Sequence, residues 1–210
     1  MKNLLERILI IVSLILSFSI PAAAADDLAR KVLAEINLAR TEPGSYAGFL
    51  RESRSRYEGK LYRMPDSDTF LETQEGVAAL DEAIKFLAHQ KPLTPLDWSA
   101  GLAAAAAELA REQGKTSSTG HIGAQSGGMQ ARLERHGTVL QGRIGENIAY
   151  GPEDPRRMVM QLIIDDGVPD RGHRKNLYNA HFDSAGIACG PHPDFGNMCV
   201  IDFAKGFMSK

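Results

Sequence analysis

The sequence predicts a domain of mixed α and β structure. Apolar residues recur at helical spacing in several stretches between residues 28 and 164. Two runs of strand character, 184–189 and 198–204, then close the chain around the Gly/Pro-rich segment 190–196. The length supports one sizeable core, and nothing marks a second domain or an internal repeat.

Taken in order, residues 1–25 read as an export signal. Lys2 and Arg7 precede an apolar run over 8–20, and Ala22 to Ala25 offer small residues for cleavage near Ala24 or Ala25. That run is short for a membrane span, which needs roughly 20 apolar residues. No stable span is expected once it is removed. The mature domain is then 26–210. Asp26 or Asp27 can cap a helix from Leu28, with Val32 and Ile36 on its apolar stripe and Pro43-Gly44 beyond its end. Asn37 and Arg40 near that end suit either a polar partner or an exposed terminus. Tyr46 to Leu50 extend the layer briefly. The polar stretch that follows reads as a surface excursion. Helical periodicity returns at 75–89, with Val77, Leu80, Ile84 and Leu87 on one face.

Ser99 is a good N-cap for a helix through Gln113. Its alanines, Ala103 to Ala107, let another element approach closely, and Trp98 just before it reads as a core anchor. A Gly/Ser/Thr loop, 114–128, carries His121. A short helix follows over 129–136, ended by Gly137. The segment 139–150 contains GRIGENIAYG. Asp154 or Pro155 opens a helix over 156–165 with Met158, Val159, Leu162 and Ile163 as its buried stripe. The bend DDGVPDRGHRKNL then leads into the two strands.

Composition narrows the function. The formal net charge is −2, and losing the leader, with two basic residues and one acid, makes the chain slightly more acidic. No basic stripe with interleaved aromatics suggests nucleic acid. The two cysteines, Cys189 and Cys199, suit a local disulfide in an oxidising compartment.

Four groups could carry chemistry: His121, Glu146, Asp165 or Asp166, and His173. Two imidazoles and two carboxylates can hold a divalent metal or act as general acid and base. No HExxH places both histidines on one helical face, and no GxSxG elbow supports a serine nucleophile. Structural roles are open to each as well. Glu146 and Asn147 can satisfy irregular backbone. Asp165 and Asp166 sit at the negative end of a helix, which calls for a compensating His⁺, Arg or metal.

Three segments in this order, GHIG at Gly120, GENIAYG at Gly145 and RGHRKNLYNAHFDSAGIACG at Arg171, resemble the CAP superfamily. That family, also called the SCP domain, comprises cysteine-rich secretory proteins, venom antigens and pathogenesis-related class 1 proteins. The match is nearest to its bacterial secreted branch, with residues 51–74 as a divergent loop or insertion. The resemblance implies a three-layer α-β-α sandwich with a central antiparallel sheet, an α+β fold. It also implies a cleft in which His121, Glu146, Asp166 and His173 bind zinc or another divalent cation. Aligning QLIIDD with the family helix favours Asp166 over Asp165.

Three functional readings follow. One is an exported binding module for a small apolar or envelope-derived ligand, secreted or periplasmic. Another is a metal-assisted hydrolase, peptidase or esterase, with Glu146 or Asp166 as the base. The last is a structural envelope protein in which the four groups form a polar network. Fold alone does not choose among them.

Overall fold

The computed structural model describes residues 22–65 and 67–210. The expected leader lies outside the described residues up to Pro21. Helix α1 (Ala22–Thr41) begins before Leu28 and runs through Asp26 and Asp27. It is followed by α2 (Pro43–Ser53), opened by a proline at a first-turn position where no N–H is needed.

The middle layer is a four-stranded sheet in the order β4 (Asp97–Trp98), β7 (Ser184–His192), β8 (Gly196–Ala204), β6 (Ile144–Tyr150). The long pairings β7–β8 and β8–β6 are antiparallel, while the two-residue β4 joins β7 in parallel. The central strand β8 is buried on both faces. Cys199, Ile201 and Phe203 face α1, α2, α3 (Val77–His89) and α6 (Pro155–Ile164). Met198, Val200 and Ala204 face α4 (Ala100–Thr116) and α5 (Met129–His136). This is the expected α-β-α sandwich. Each fully buried Leu, Ile, Val or Phe contributes about 1.5–3 kcal/mol, so the two cores outweigh any single polar contact.

The local signals act as their chemistry requires. Ser99 Oγ accepts the N–H of Leu102, and Asp154 accepts that of Arg157, with Pro155 just inside the helix. The close approach to α4 is made from the sheet. A Cβ on Gly186 would overlap the backbone of Leu102 and Ala103, so only glycine lets α4 sit this low on β7. Arg40 and Asn37 have partners and are not an exposed helix end. Buried Arg40 donates to the carbonyls of Thr94, Leu177 and Asn179 at 2.7–3.1 Å, and Asn37 bridges both backbone groups of Leu96.

The hairpin differs from its expected form. Both strands run further, to His192 and from Gly196, and residues 193–195 make the connection. Cys189 and Cys199 are directly opposed and form the disulfide. The stretch expected as a surface excursion contains secondary structure among its described residues. After a short 3-10 turn, Arg54–Arg56, it forms an antiparallel sheet of β1 (Tyr57–Glu58), β2 (Leu61–Arg63) and β3 (Phe70–Glu72). A third sheet pairs β5 (Gly137–Val139) with β9 (Phe207–Ser209), where the sequence offered no strand signal. The bend after α6 contains one more helix, α7 (Gly172–Leu177).

Candidate functional site

The site straddles β6, the edge strand of the main sheet. Glu146 lies on the α4 side of that strand, with its side chain 3% exposed. Its Oε1 is 2.8 Å from His121 Nδ1, and its Oε2 accepts from buried Arg132 of α5. An ionised carboxylate only accepts, so the histidine carries its proton on Nδ1.

The loop bearing His121 is fastened at several points. Buried Gln113 donates to the Gly120 carbonyl at 2.6 Å. Tyr150 donates to Gln113 and accepts the Gly120 N–H. Arg132 also reaches the carbonyls of His121 and Gly127. Glu112 accepts the N–H groups of Ser126 and Gln125, and these bonds hold its carboxyl below the usual range. The imidazole itself stays 54% exposed, so the loop presents it to solvent.

The second histidine is paired differently from the sequence expectation. Asp165 is the C-cap of α6 and has left-handed backbone, φ 58°. That turn sends its carboxylate, 1% exposed, into the start of α7. There it accepts the N–H groups of His173 and Arg174 at 2.9 and 3.1 Å, and lies 2.6 Å from His173 Nδ1. The compensating partner expected at the end of α6 is thus the positive end of another helix and its histidine. Asp166 was expected to complete the set and does not. Its oxygens accept the N–H groups of Gln74 and Glu75, fastening the β3–α3 turn to the bend. Arg171 strengthens that junction through Glu75 and Glu82, and it holds the Glu75 carboxyl down at about 2.

Two amides join the halves across β6. Asn147 donates to the His173 carbonyl, and Asn176 donates to the Glu146 carbonyl and to Asn147 Oδ1. Gly145 makes room for this. A Cβ there would press on Asn176 and the Phe182 ring. The structure therefore gives two dyads, His121–Glu146 and Asp165–His173, on either side of one strand. Arg132 was missed because it lies in a short helix read only for its apolar face. A further carboxyl, Asp202, was missed in β8, although a charge inside MCVIDFA was visible.

This arrangement bears on metal binding. A catalytic zinc takes three protein ligands and a structural one four. Among the described residues, no three His, Cys, Asp or Glu side chains are so grouped. The reason is in the bonds above. Asp166 is bonded to the β3–α3 turn, and Glu146 and Asp165 are turned to different histidines, each accepting hydrogen bonds on both oxygens. The ring Nε2 atoms of His121 and His173 remain, which is one donor short. The expected set of His121, Glu146, Asp166 and His173 does not fit a zinc centre as arranged.

The model of the cysteine-rich secretory protein family, CAP, matches residues 33–203. The chain belongs to the CAP family. The match includes both dyads and the central sheet up to Phe203, one residue short of the end of β8. No curated protein compared with this CAP chain matches it significantly. Three solved structures are similar to parts of it. An extracellular SCP-domain protein of Bacillus anthracis is 23% identical, with a TM-score of 0.44 over 54% of this chain and 35% of its own. An outer surface protein of Borrelia burgdorferi is 20% identical, with a TM-score of 0.44 over 61% and 90%. A cysteine-rich secretory protein of Staphylococcus aureus is 18% identical, with a TM-score of 0.43 over 69% and 46%. The matched region thus spans about a third of the Bacillus protein and under half of the Staphylococcus one.

Proposed function

We propose that this CAP-family protein is an exported binding module, and that the two dyads at the edge of β6 are where it takes its ligand. One observation carries the reading. Each carboxylate is buried and fixes Nδ1 of its histidine, while both rings reach solvent, 54% and 26% exposed, with no hydrogen bond at Nε2 among the described residues. A ring held this way accepts a hydrogen bond at Nε2 when neutral and donates one when protonated. It suits a hydroxyl or anionic headgroup. Ile122, 77% exposed beside His121, offers an apolar contact. An amphiphilic, envelope-derived molecule has both parts. Export is supported by the leader-like N-terminus and by the disulfide, which persists in oxidising compartments. Among the described residues no helix is long and apolar enough to cross a membrane.

The metal-assisted hydrolase reading needs an open zinc position, and the committed carboxylates do not supply the ligands for it. The test of the binding reading uses short-chain phosphatidylglycerol below its micelle concentration, followed by imidazole ¹H–¹⁵N spectra. Both His121 and His173 signals should shift together, and His121→Ala should abolish the His173 shift. Binding that leaves both rings unmoved, or is unchanged in His121→Ala and His173→Ala, refutes the reading. Mass spectrometry of the exported chain checks cleavage near Ala24 or Ala25.

A further inference from the structure

Directly across from Glu146, on the neighbouring strand β8, lies a second carboxyl with no counterion of its own among the described residues. Asp202 is the middle of a cross-strand row, Glu146–Asp202–Gly186, on the α4 side of the sheet. It is 0% exposed, and among the described residues no donor reaches either of its oxygens.

The charged groups around it can be counted element by element. From β6 comes Glu146. From β7 comes Gly186, which has no side chain and backs onto Leu102 and Ala103 of α4. The carboxylates of α4 are engaged elsewhere, Glu108 with Arg135 and His136, and Glu112 with the loop N–H groups. From α5 comes Arg132, fully buried, with its guanidinium on Glu146. One buried cation therefore faces two buried carboxyls. Two anions there would leave one charge uncompensated in a closed interior, which a folded chain avoids. Burial foremost, and then the charge on Glu146, push the Asp202 carboxyl well above the usual range, against a smaller pull from Arg132.

We propose that Asp202 is a positioning residue of the His121 dyad: a neutral carboxylic acid across from Glu146 that leaves the single charge of Arg132 to Glu146 and keeps Glu146 aligned on His121. This stands whether or not the dyad takes the ligand class proposed above. An ionised Asp202 would compete for Arg132 and repel Glu146. A neutral one fills the gap and offers its O–H to the nearest anion.

The decisive measurement needs no variant. The ¹³C carboxyl shift of Asp202 in the whole mature protein should stay at its protonated value from pH 4 to 8. A carboxyl that titrates near pH 4 overturns the proposal. Asp202→Asn keeps the shape and removes the charge. Wild type should lose stability relative to this variant as pH rises, by up to tenfold in the unfolding constant per pH unit. A difference that is flat with pH overturns the proposal. The positioning role is read from the His121 ring ¹⁵N shifts, which should be kept in Asp202→Asn and changed in Asp202→Leu. Unchanged shifts in a folded Asp202→Leu would show a space-filling residue instead. If that variant does not fold, the wild-type carboxyl shift and Asp202→Asn decide.

Discussion

Asp165 and Asp166 are adjacent in sequence, and the structure gives them separate tasks that substitution can separate. Asp165→Ala removes the acceptor of three donors: the N–H groups of His173 and Arg174, and His173 Nδ1. The pocket is closed to water, since the Asp165 side chain is 1% exposed. Hydrogen bonds to a charged group are worth about 1.5–3 kcal/mol each, and an orphaned buried donor costs about 1–3 kcal/mol. These overlap, and part of α7 can relax, so the expected loss is about 3–5 kcal/mol. Asp166→Ala also removes an acceptor of two N–H groups, but on an exposed turn where water replaces it. Losing such a cap costs about 1–2 kcal/mol. For a domain this size, each kcal/mol moves Tm by about 2–4 °C. Asp165→Ala should therefore melt about 6–20 °C below wild type, and Asp166→Ala about 2–8 °C below. Urea unfolding gives the free energies, and ring ¹⁵N spectra report on His173, which should change only in Asp165→Ala. If Asp166→Ala is the costlier variant, or the one that moves the His173 signals, the assignment of Asp165 to the dyad is wrong.

Gly186→Ala should destabilise by at least the ~1–3 kcal/mol typical of overpacking, because its Cβ meets backbone and not a movable side-chain tip; an unchanged melting curve would refute the packing account. The Glu108 carboxyl is held down at about 2, chiefly by its bond to Arg135, with His136 adding to it. A depressed acid stabilises the fold above its unfolded value and loses that contribution as pH falls, so Glu108→Gln should flatten the decline in Tm between about pH 4.5 and 2. An undiminished decline would place the acid sensitivity elsewhere. Zinc titrated into the metal-free mature protein should show no site tighter than about 1 µM. A tighter 1:1 site, lost in both His121→Ala and His173→Ala, would overturn the conclusion drawn from the committed carboxylates.

Much of this molecule could be read from its sequence because the signals were local. The stripe through Val77, Leu80, Ile84 and Leu87, the Ser99 and Asp154 caps and the cysteine pair each act within one element or one hairpin. The residues His121, Glu146 and His173 came from the motifs, and the structure places all three at β6. What escaped depends on contacts distant in sequence. The helix α7 has no apolar period, and a carboxylate from the preceding helix holds its first turn. The choice between Asp165 and Asp166 turns on one left-handed backbone position at a non-glycine residue, which spacing does not reveal. The strands β1 to β3 are short and polar, and Asp166 and Arg171 fasten the turn after them from about 90 positions away. Asp202 was passed over because its strand was read only for its apolar residues.

The alternation along β8 has a consequence for how the chain finds its register. Asp202 and Phe203 are neighbours that face opposite layers, and the Phe203 ring stacks on Phe182 with centroids 5.5 Å apart. A slip of one residue would exchange their environments. The carboxyl would enter the aromatic side of the sandwich, and the ring would be driven beside Glu146 against Arg132. Neither swap is tolerable, so this pair discriminates against the nearest misaligned pairing before the Cys189–Cys199 bond makes the correct one permanent.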